Sequence, residues 1–349
     1  MRNGFTFLLR LLGLAYGRVV AWRRSWYASH PETQRVLSQP VISIGNLVVG
    51  GSGKTPLVAE IAKELLANGE RPAILSRGYA RKVVTEGVLV VSDLTKTIEP
   101  VEKSGDEPQM LARNLPGVPV LVSSDRYLAG CLAERHFGCT VHLLDDGFQH
   151  LVLHRDVELL IVAADDLDEV MLPTGRLRES LKTASVADVV CVIGDDSTVA
   201  KVGRALGVPQ TFRLKLQLKS ARLLGTSLQP LQLSAGSRIV ALTGIARPER
   251  FFSSLRELGY EVVQKKIFRD HHWYTPRDLT NVLTCARNAN AEAVLTTEKD
   301  AMRLMCLGLR ETILPVAYVP MELAIEPVVE FRTWLFKRLE IARETTVLV

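Results

Sequence analysis

Paired cysteines, metal-type histidine clusters and an unbroken membrane-length apolar run are all missing from this 349-residue chain. Its five cysteines (Cys131, Cys139, Cys191, Cys285 and Cys306) are scattered, odd in number and never spaced C-x-x-C. That pattern argues against a disulfide framework or structural zinc and for a reducing compartment, with the thiols as small buried apolar groups. No run of about 20 apolar residues occurs, so a transmembrane helix is not expected. Arginines interrupt the apolar N-terminus and no small-residue cleavage site follows, which speaks against a signal peptide. Internal repeats and low-complexity segments are absent too. The remaining composition, 47% hydrophobic and 23% charged, is that of a globular protein, and the length favours two domains. A net charge of +5 suits an anionic substrate or membrane surface.

The most informative segment present is Val48-Val49-Gly50-Gly51-Ser52-Gly53-Lys54-Thr55. It follows the apolar run Pro40–Ile44 and precedes a helical pattern over 55–67 that stops at Gly69. Strand, glycine-rich loop and helix form the context of a phosphate-binding loop. Backbone N–H groups close around phosphate oxygens there, and the helix N-terminus adds positive potential. Lys54 is expected to reach the β/γ-phosphates, and the Thr55 hydroxyl to ligate Mg²⁺. The usual spacing has a glycine where this chain has Val48; Gly50 and Gly51 are available to supply the turn. The chain is therefore expected to bind a nucleoside triphosphate.

Upstream of the loop, residues 5–22 are apolar but carry Arg10 and Arg18, with Arg2, Arg23 and Arg24 flanking. On a helical projection Arg2, Asn3, Thr6, Arg10, Gly13, Gly17 and Arg18 fall broadly on one side, and most Leu, Val and Trp residues on the other. Phe7 and Leu14 intrude on the polar side. A basic amphipathic helix in the interface of an anionic membrane is the favoured reading, and packing on the protein's own core is the other. Downstream, strand-like runs alternate with helical patterns, including a helix over 125–137 with Ser124 as its N-cap and Gly138 past its end. Alternation of this kind predicts an α/β fold with a parallel sheet of the P-loop type and helices on both faces. Residues 211–218 alternate with period two, as an exposed or edge strand would. The expected organisation is a membrane-associating helix over 1–30, a nucleotide-binding domain over 31–210, a linker with a strand over 211–233 and a smaller α/β domain over 234–349.

Charged residues at strand ends carry the next layer of chemistry. Leu143-Leu144-Asp145-Asp146 runs an apolar strand into two carboxylates, which neighbouring positions send to opposite faces. One would serve a metal and the other approach an acceptor hydroxyl. Gly105-Asp106-Glu107-Pro108 is a second acidic turn, whose simplest role is to complement a helix N-terminus. Arginine-bearing loops follow at 76–81 and 173–179, where either could clamp phosphate or stay solvated. Asp270-His271-His272 offers a histidine oriented by a carboxylate for proton transfer, and too few further ligands for zinc.

Taken together, these segments resemble the tetraacyldisaccharide 4′-kinases of lipid A synthesis. The resemblance rests on Gly45-Asn46 with the 49–56 loop, Ser76-Arg77-Gly78-Tyr79, Gly105–Pro108, Asp145–His150, Gly175 with Arg178-Glu179, Asp270–His272 and Thr296–Ala301, in family order. It implies ATP- and Mg²⁺-dependent phosphorylation of the 4′-hydroxyl of an acylated glucosamine disaccharide 1-phosphate, at the cytoplasmic face of the inner membrane. It also implies two α/β/α domains joined by a short β linker, a second, smaller domain following the nucleotide domain, and no nucleic-acid partner. By motif position Asp146 would be the base, paired with His271 or, alternatively, His272. Asp106, Glu107 and Asp145 would organise Mg²⁺, His150 would lie near the phosphates, and Tyr79, Arg178 and Glu179 would shape the donor or acceptor site. The competing readings are a P-loop assembly or chaperone ATPase, which usually carries a lysine early in the loop, and a membrane-bound nucleotide switch.

Overall fold

The structure, a computed structural model, describes residues 2–51, 53–208, 210–225, 229–308 and 312–347, with side chains from Leu9 to Thr345. Among these residues two sheets form. The first takes β1 (Val41–Asn46), β2 (Pro72–Ser76), β3 (Leu89–Ser92), β4 (Val120–Val122), β5 (Val141–Asp145), β6 (Val157–Ala163), β7 (Val189–Ile193) and β8 (Thr211–Leu218). The second takes β9 (Arg222–Leu223), β10 (Arg238–Thr243), β11 (Glu261–Ile267), β12 (Ala293–Thr297) and β13 (Val316–Val319), after which β14 (Met321–Glu326) returns to the first. Strand orders are β14-β8-β7-β6-β1-β5-β2-β4-β3 and β11-β10-β12-β13-β9. The first sheet is parallel except where β3 pairs with β4 and β14 pairs with β8. Its central strands β1, β2, β5 and β6 are buried along their whole length, the consequence of near-continuous apolar runs covered on both faces.

The helices are α1 (Arg2–Ser29), α2 (Lys54–Ala67), α3 (Val101–Ser104), α4 (Asp106–Asn114), α5 (Arg126–Phe137), α6 (Asp196–Leu206), α7 (Pro248–Glu257), α8 (Pro276–Asn288), α9 (Glu298–Leu304) and α10 (Val328–Val347). Asp125, rather than the expected Ser124, caps α5, because its carboxylate accepts from the Tyr127 and Leu128 amides. Strand β8 is not an edge: β14 pairs along it from Leu218 to Arg213. Its alternation instead sorts Phe212 and Leu214 into the core, where they meet Leu323, Ile325, Phe331, Leu335 and Leu339. Each such fully buried side chain contributes roughly 1.5–3 kcal/mol over the exposed state. Where the sequence reading ran the smaller unit to residue 349, β14 and α10 pack on the first sheet, so two connections cross between the sheets: β8 to β9 and β13 to β14.

Helix α1 lies along the first-sheet unit with a stripe of Gly13, Gly17, Val20, Arg24 and Tyr27 turned inward. Leu11, Leu12, Leu14, Val19 and Trp22 are exposed, Trp22 at 67%, and Arg10 and Arg18 are exposed beside them. No helix among the described residues is long and apolar enough to cross a membrane.

Candidate active site

The phosphate loop leaves β1 and is pinned before it reaches the glycines. Val48 is buried and bridges Leu177, and the Val49 amide donates to the Arg176 carbonyl at 2.8 Å. These two residues therefore anchor the loop, and the amide of Val49 is already committed. Gly53 has φ +83°, a left-handed conformation that glycine adopts without penalty, and α2 starts at the next residue. Ser52, also expected in the cradle, lies outside the described residues. From the first turn of α2, Lys54 Nζ lies 3.2 Å from Asn46 Oδ1 and 3.5 Å from Asp146 Oδ1. Thr55 is buried beside it.

The two carboxylates at the end of β5 do separate in environment, Asp145 as the last strand residue and Asp146 in the turn that follows. Asp145 is 2% exposed, its Oδ2 accepts from Ser76 Oγ at 3.3 Å, and its Oδ1 has no hydrogen-bond partner among the described residues. Burial, with Glu107 and Asp146 nearby, raises its pKa to about 7 despite Lys54. Asp146 turns the chain at φ +54° and takes a two-pronged fork from Arg178, at 3.0 and 2.8 Å. Burial opposes its ionisation, but Lys54 and Arg178 outweigh it and hold the group well below the usual carboxylate range. Arg178 also bonds Asn46, the residue before the loop. The segment is tight: a Cβ on Gly45 would sit 2.4 Å from the Cβ of Phe148, so only glycine lets β1 pass the 146–150 turn.

His271 does not meet Asp146; its carboxylate is Asp106. Nδ1 of His271 lies 3.2 Å from Asp106 Oδ2, and Nε2 lies 3.1 Å from Lys299 Nζ. Nδ1 also lies 2.8 Å from Nη2 of Arg303, so the imidazole, the Asp106 carboxylate and the Arg303 guanidinium close a three-way contact, with Lys299 at Nε2. Asp106 Oδ1 accepts from the Glu107 amide, so the expected role at the helix N-terminus is present too, while Oδ2 faces His271 and Arg303, the latter at 2.9 Å. Burial works against the Asp106 charge, and His271, Lys299 and Arg303 overcome it, so its pKa is lowered. Lys299 reaches Glu107 at 3.1 Å, and Tyr79, exposed, sets its ring edge-on against His271 at 5.1 Å. His272, the alternative partner, faces away: its Nε2 is 3.1 Å from Asp278, and its ring stacks on Phe268.

The His271 backbone is held from below. Its amide donates to the Gly244 carbonyl, and buried Asp300 accepts from the Gly244 amide, Thr243, Tyr274 and Thr297. At φ +58°, His271 shares with Asp146 a backbone region that non-glycine residues rarely occupy. Lys299 stands in the 296–301 motif quoted for the resemblance, but nothing there marked it as a partner of His271. Arg303, 1% exposed, gave no signal in sequence.

Two expected residues lie elsewhere. His150 sits among Arg126, Arg155 and Arg23, lining a cavity of about 210 Å³ with Ser124, Asp125 and Tyr127, and burial with Arg126 pushes its pKa down to about 4. Glu179 is buried and paired with Arg24 of α1 at 2.7 Å rather than facing the loop.

Mg²⁺ is the ion that the fold implies. The buried, unpartnered Oδ1 of Asp145, close to Lys54 and the first turn of α2, fits a hard cation, as does the Thr55 hydroxyl. Asp106 fits less well, since cations already neutralise it.

A phosphate loop on a parallel sheet, with a His–Asp contact joining the two units and two fixed cations beside it, defines a nucleotide-dependent phosphotransferase of the P-loop class. The family model described as tetraacyldisaccharide-1-P 4′-kinase matches residues 5–340. Similar relatives include the tetraacyldisaccharide 4′-kinases of Geobacter metallireducens, 38% identical over 85% of this chain and 88% of its own, and of Geobacter sulfurreducens, 38% identical over 92% and 93%. A crystal structure of LpxK from Aquifex aeolicus in complex with ATP superposes with a TM-score of 0.74 at 32% identity, covering 95% of this chain and 98% of that one. The chain belongs to the tetraacyldisaccharide-1-P 4′-kinase family. It is an ATP-dependent kinase acting on the 4′-hydroxyl of the lipid A disaccharide precursor, which removes the assembly-ATPase and nucleotide-switch alternatives.

Proposed function

We propose that Asp106, paired with His271, takes the proton of the 4′-hydroxyl, and that the Asp146–Arg178–Lys54 cluster handles the phosphates. The observation that carries this is the 3.2 Å contact between His271 and Asp106. His271 orients the carboxylate and shares the proton it receives, while Lys299 and Arg303 hold both in place. Asp146, ionised, presents Lys54 and Arg178 toward the loop until phosphate oxygens compete for them. Thr55 and Asp145, with Glu107 at the rim, would hold Mg²⁺. Bound there, the ion supplies charge neutralisation on the transferring phosphoryl group. The residues 31–210 and 234–320 then act as nucleotide-binding and acceptor-side domains.

Helix α1 is read as lying in the interface of an anionic membrane at the cytoplasmic face of the inner membrane. Supporting this are its outward row of Leu, Val and Trp and the exposed Arg10 and Arg18 beside it. A comparison of Asp106→Asn with Asp146→Asn tests the assignment of the base. The first should lower kcat with ATP affinity retained, and the second should weaken nucleotide binding. The reverse pattern would return the base to Asp146.

A further inference from the structure

Helix α1 does more than rest on the fold. Its inward stripe crosses two separate segments, and these are the segments that carry Asp146 and Arg178. A Cβ on Gly13 would lie 3.3 Å from the Leu172 carbonyl oxygen, and one on Gly17 would lie 3.4 Å from Met171 Cε, so the helix backbone is closely apposed to the start of the 171–179 segment. Two turns later Arg24 reaches both segments at once. Its Nε and Nη2 grip Glu179 at 2.7 and 2.9 Å, and Nη2 also donates to the Phe148 carbonyl at 2.7 Å. The guanidinium lies over the Phe148 ring, 4.3 Å from its centroid. Arg23 adds a bond to the Gln149 carbonyl at 3.2 Å.

Glu179 directly follows Arg178, and Phe148 stands two residues after Asp146. The Arg24 clamp and the Asp146–Arg178 fork therefore join the same two strands of chain from opposite ends of a short span. Arg24 is only 13% exposed and Glu179 only 3%, so the pair is screened little by solvent. Such a site is not open to lipid: Arg24 turns inward while the apolar row of the helix turns outward.

We propose that Arg24 is a positioning residue for phosphoryl transfer, holding the Asp146–Arg178 fork in register with Lys54 by clamping Phe148 and Glu179. This rests on the reading of that cluster as the phosphate end of the site. The docking of α1 thereby becomes part of the active-site scaffold, separate from any contact with lipid. Lysine cannot replace the clamp, because an ammonium lacks the planar fork that serves a carboxylate and a carbonyl together.

The test uses the full-length protein in mixed micelles with ATP and a tetraacyldisaccharide 1-phosphate acceptor, at a temperature where circular dichroism reports it folded. Arg24→Met should lower kcat by about 10- to 100-fold and Arg24→Lys by about 10-fold, with KM for ATP shifted in the same direction as in Asp146→Asn and partition onto anionic vesicles within about twofold of wild type. In an Arg178→Met background, Arg24→Met should cost little more, because a residue acting through Arg178 has nothing left to position. Wild-type kcat in Arg24→Met, or multiplicative losses in the double variant, overturns the proposal. A loss of vesicle binding that accounts for the lost turnover also overturns it, and makes Arg24 an anchor. If Arg24→Met does not fold, Arg24→Lys carries the same cycle. Should Arg178→Met itself turn over normally, the reading of the phosphate cluster fails, and that outcome is distinct from failure of the clamp.

Discussion

Nδ1 of the His271 imidazole lies 3.2 Å from the carboxylate of Asp106, a contact that joins the turn after β11 in the second sheet to the first turn of α4 beside the first. Asp106→Asn and His271→Ala are each expected to lower kcat by about 10²–10⁴-fold with little change in ATP affinity. Their double variant should be hardly worse than the poorer single, since the two act as one unit. Multiplicative losses in that cycle would separate the pair.

Lys54→Ala and Thr55→Ala are expected to cut turnover by at least about 10²-fold while the thermal midpoint stays near wild type. Lys54 is held by Asn46 and Asp146 at the loop, and neither contact builds a core. Thr55→Ala should also need more Mg²⁺ for half-maximal rate. Near-normal phosphorylation by Lys54→Ala would remove the loop from the mechanism.

The membrane reading of α1 is separable from its docking. Arg10→Gln and Arg18→Gln, both on exposed positions, should each weaken partition onto anionic vesicles by about fivefold at low salt, corresponding to ~1 kcal/mol per arginine. The difference should shrink as salt is raised. Equal partition of variant and wild type at low salt would make the helix purely a docking element.

His150 supplies a pH signature of stability. Burial and Arg126 hold its pKa at about 4, against an ordinary value of 6.5. Between those two values the unfolded chain takes up a proton that the folded chain refuses, so stability falls as pH drops through that window. His150→Asn removes this penalty. Relative to wild type, the variant should gain on the order of 2 kcal/mol on passing from about pH 7 to about pH 4.5. Melting curves that stay parallel across that range would show that His150 protonates freely in the fold.

The apolar strand runs of the first unit, the phosphate loop and the acidic end of β5 were legible in the sequence because each is written locally. Apolar runs bury as strands, a glycine at φ +83° turns the loop, and Lys54-Thr55 opens the next helix. His271 was visible as a candidate for the same reason, since an acid and two histidines stand side by side. Its partner was not. Asp145 and Asp146 announced themselves at a strand end, whereas Asp106 looked like a residue complementing a helix N-terminus, which it also is.

Sequence alone determined that this chain carries a nucleotide loop on an α/β sheet, because backbone conformation and hydrophobic periodicity depend on near neighbours. Tertiary structure decided which carboxylate meets which basic side chain: His271 goes to Asp106, Arg178 to Asp146, and Arg24 to Glu179. Each pairing spans distant parts of the chain, and a charged group gives no sign in sequence of its eventual partner. The choice is made when burial strips its water, because a buried charge must then be met by whatever opposite charge the packing brings within reach.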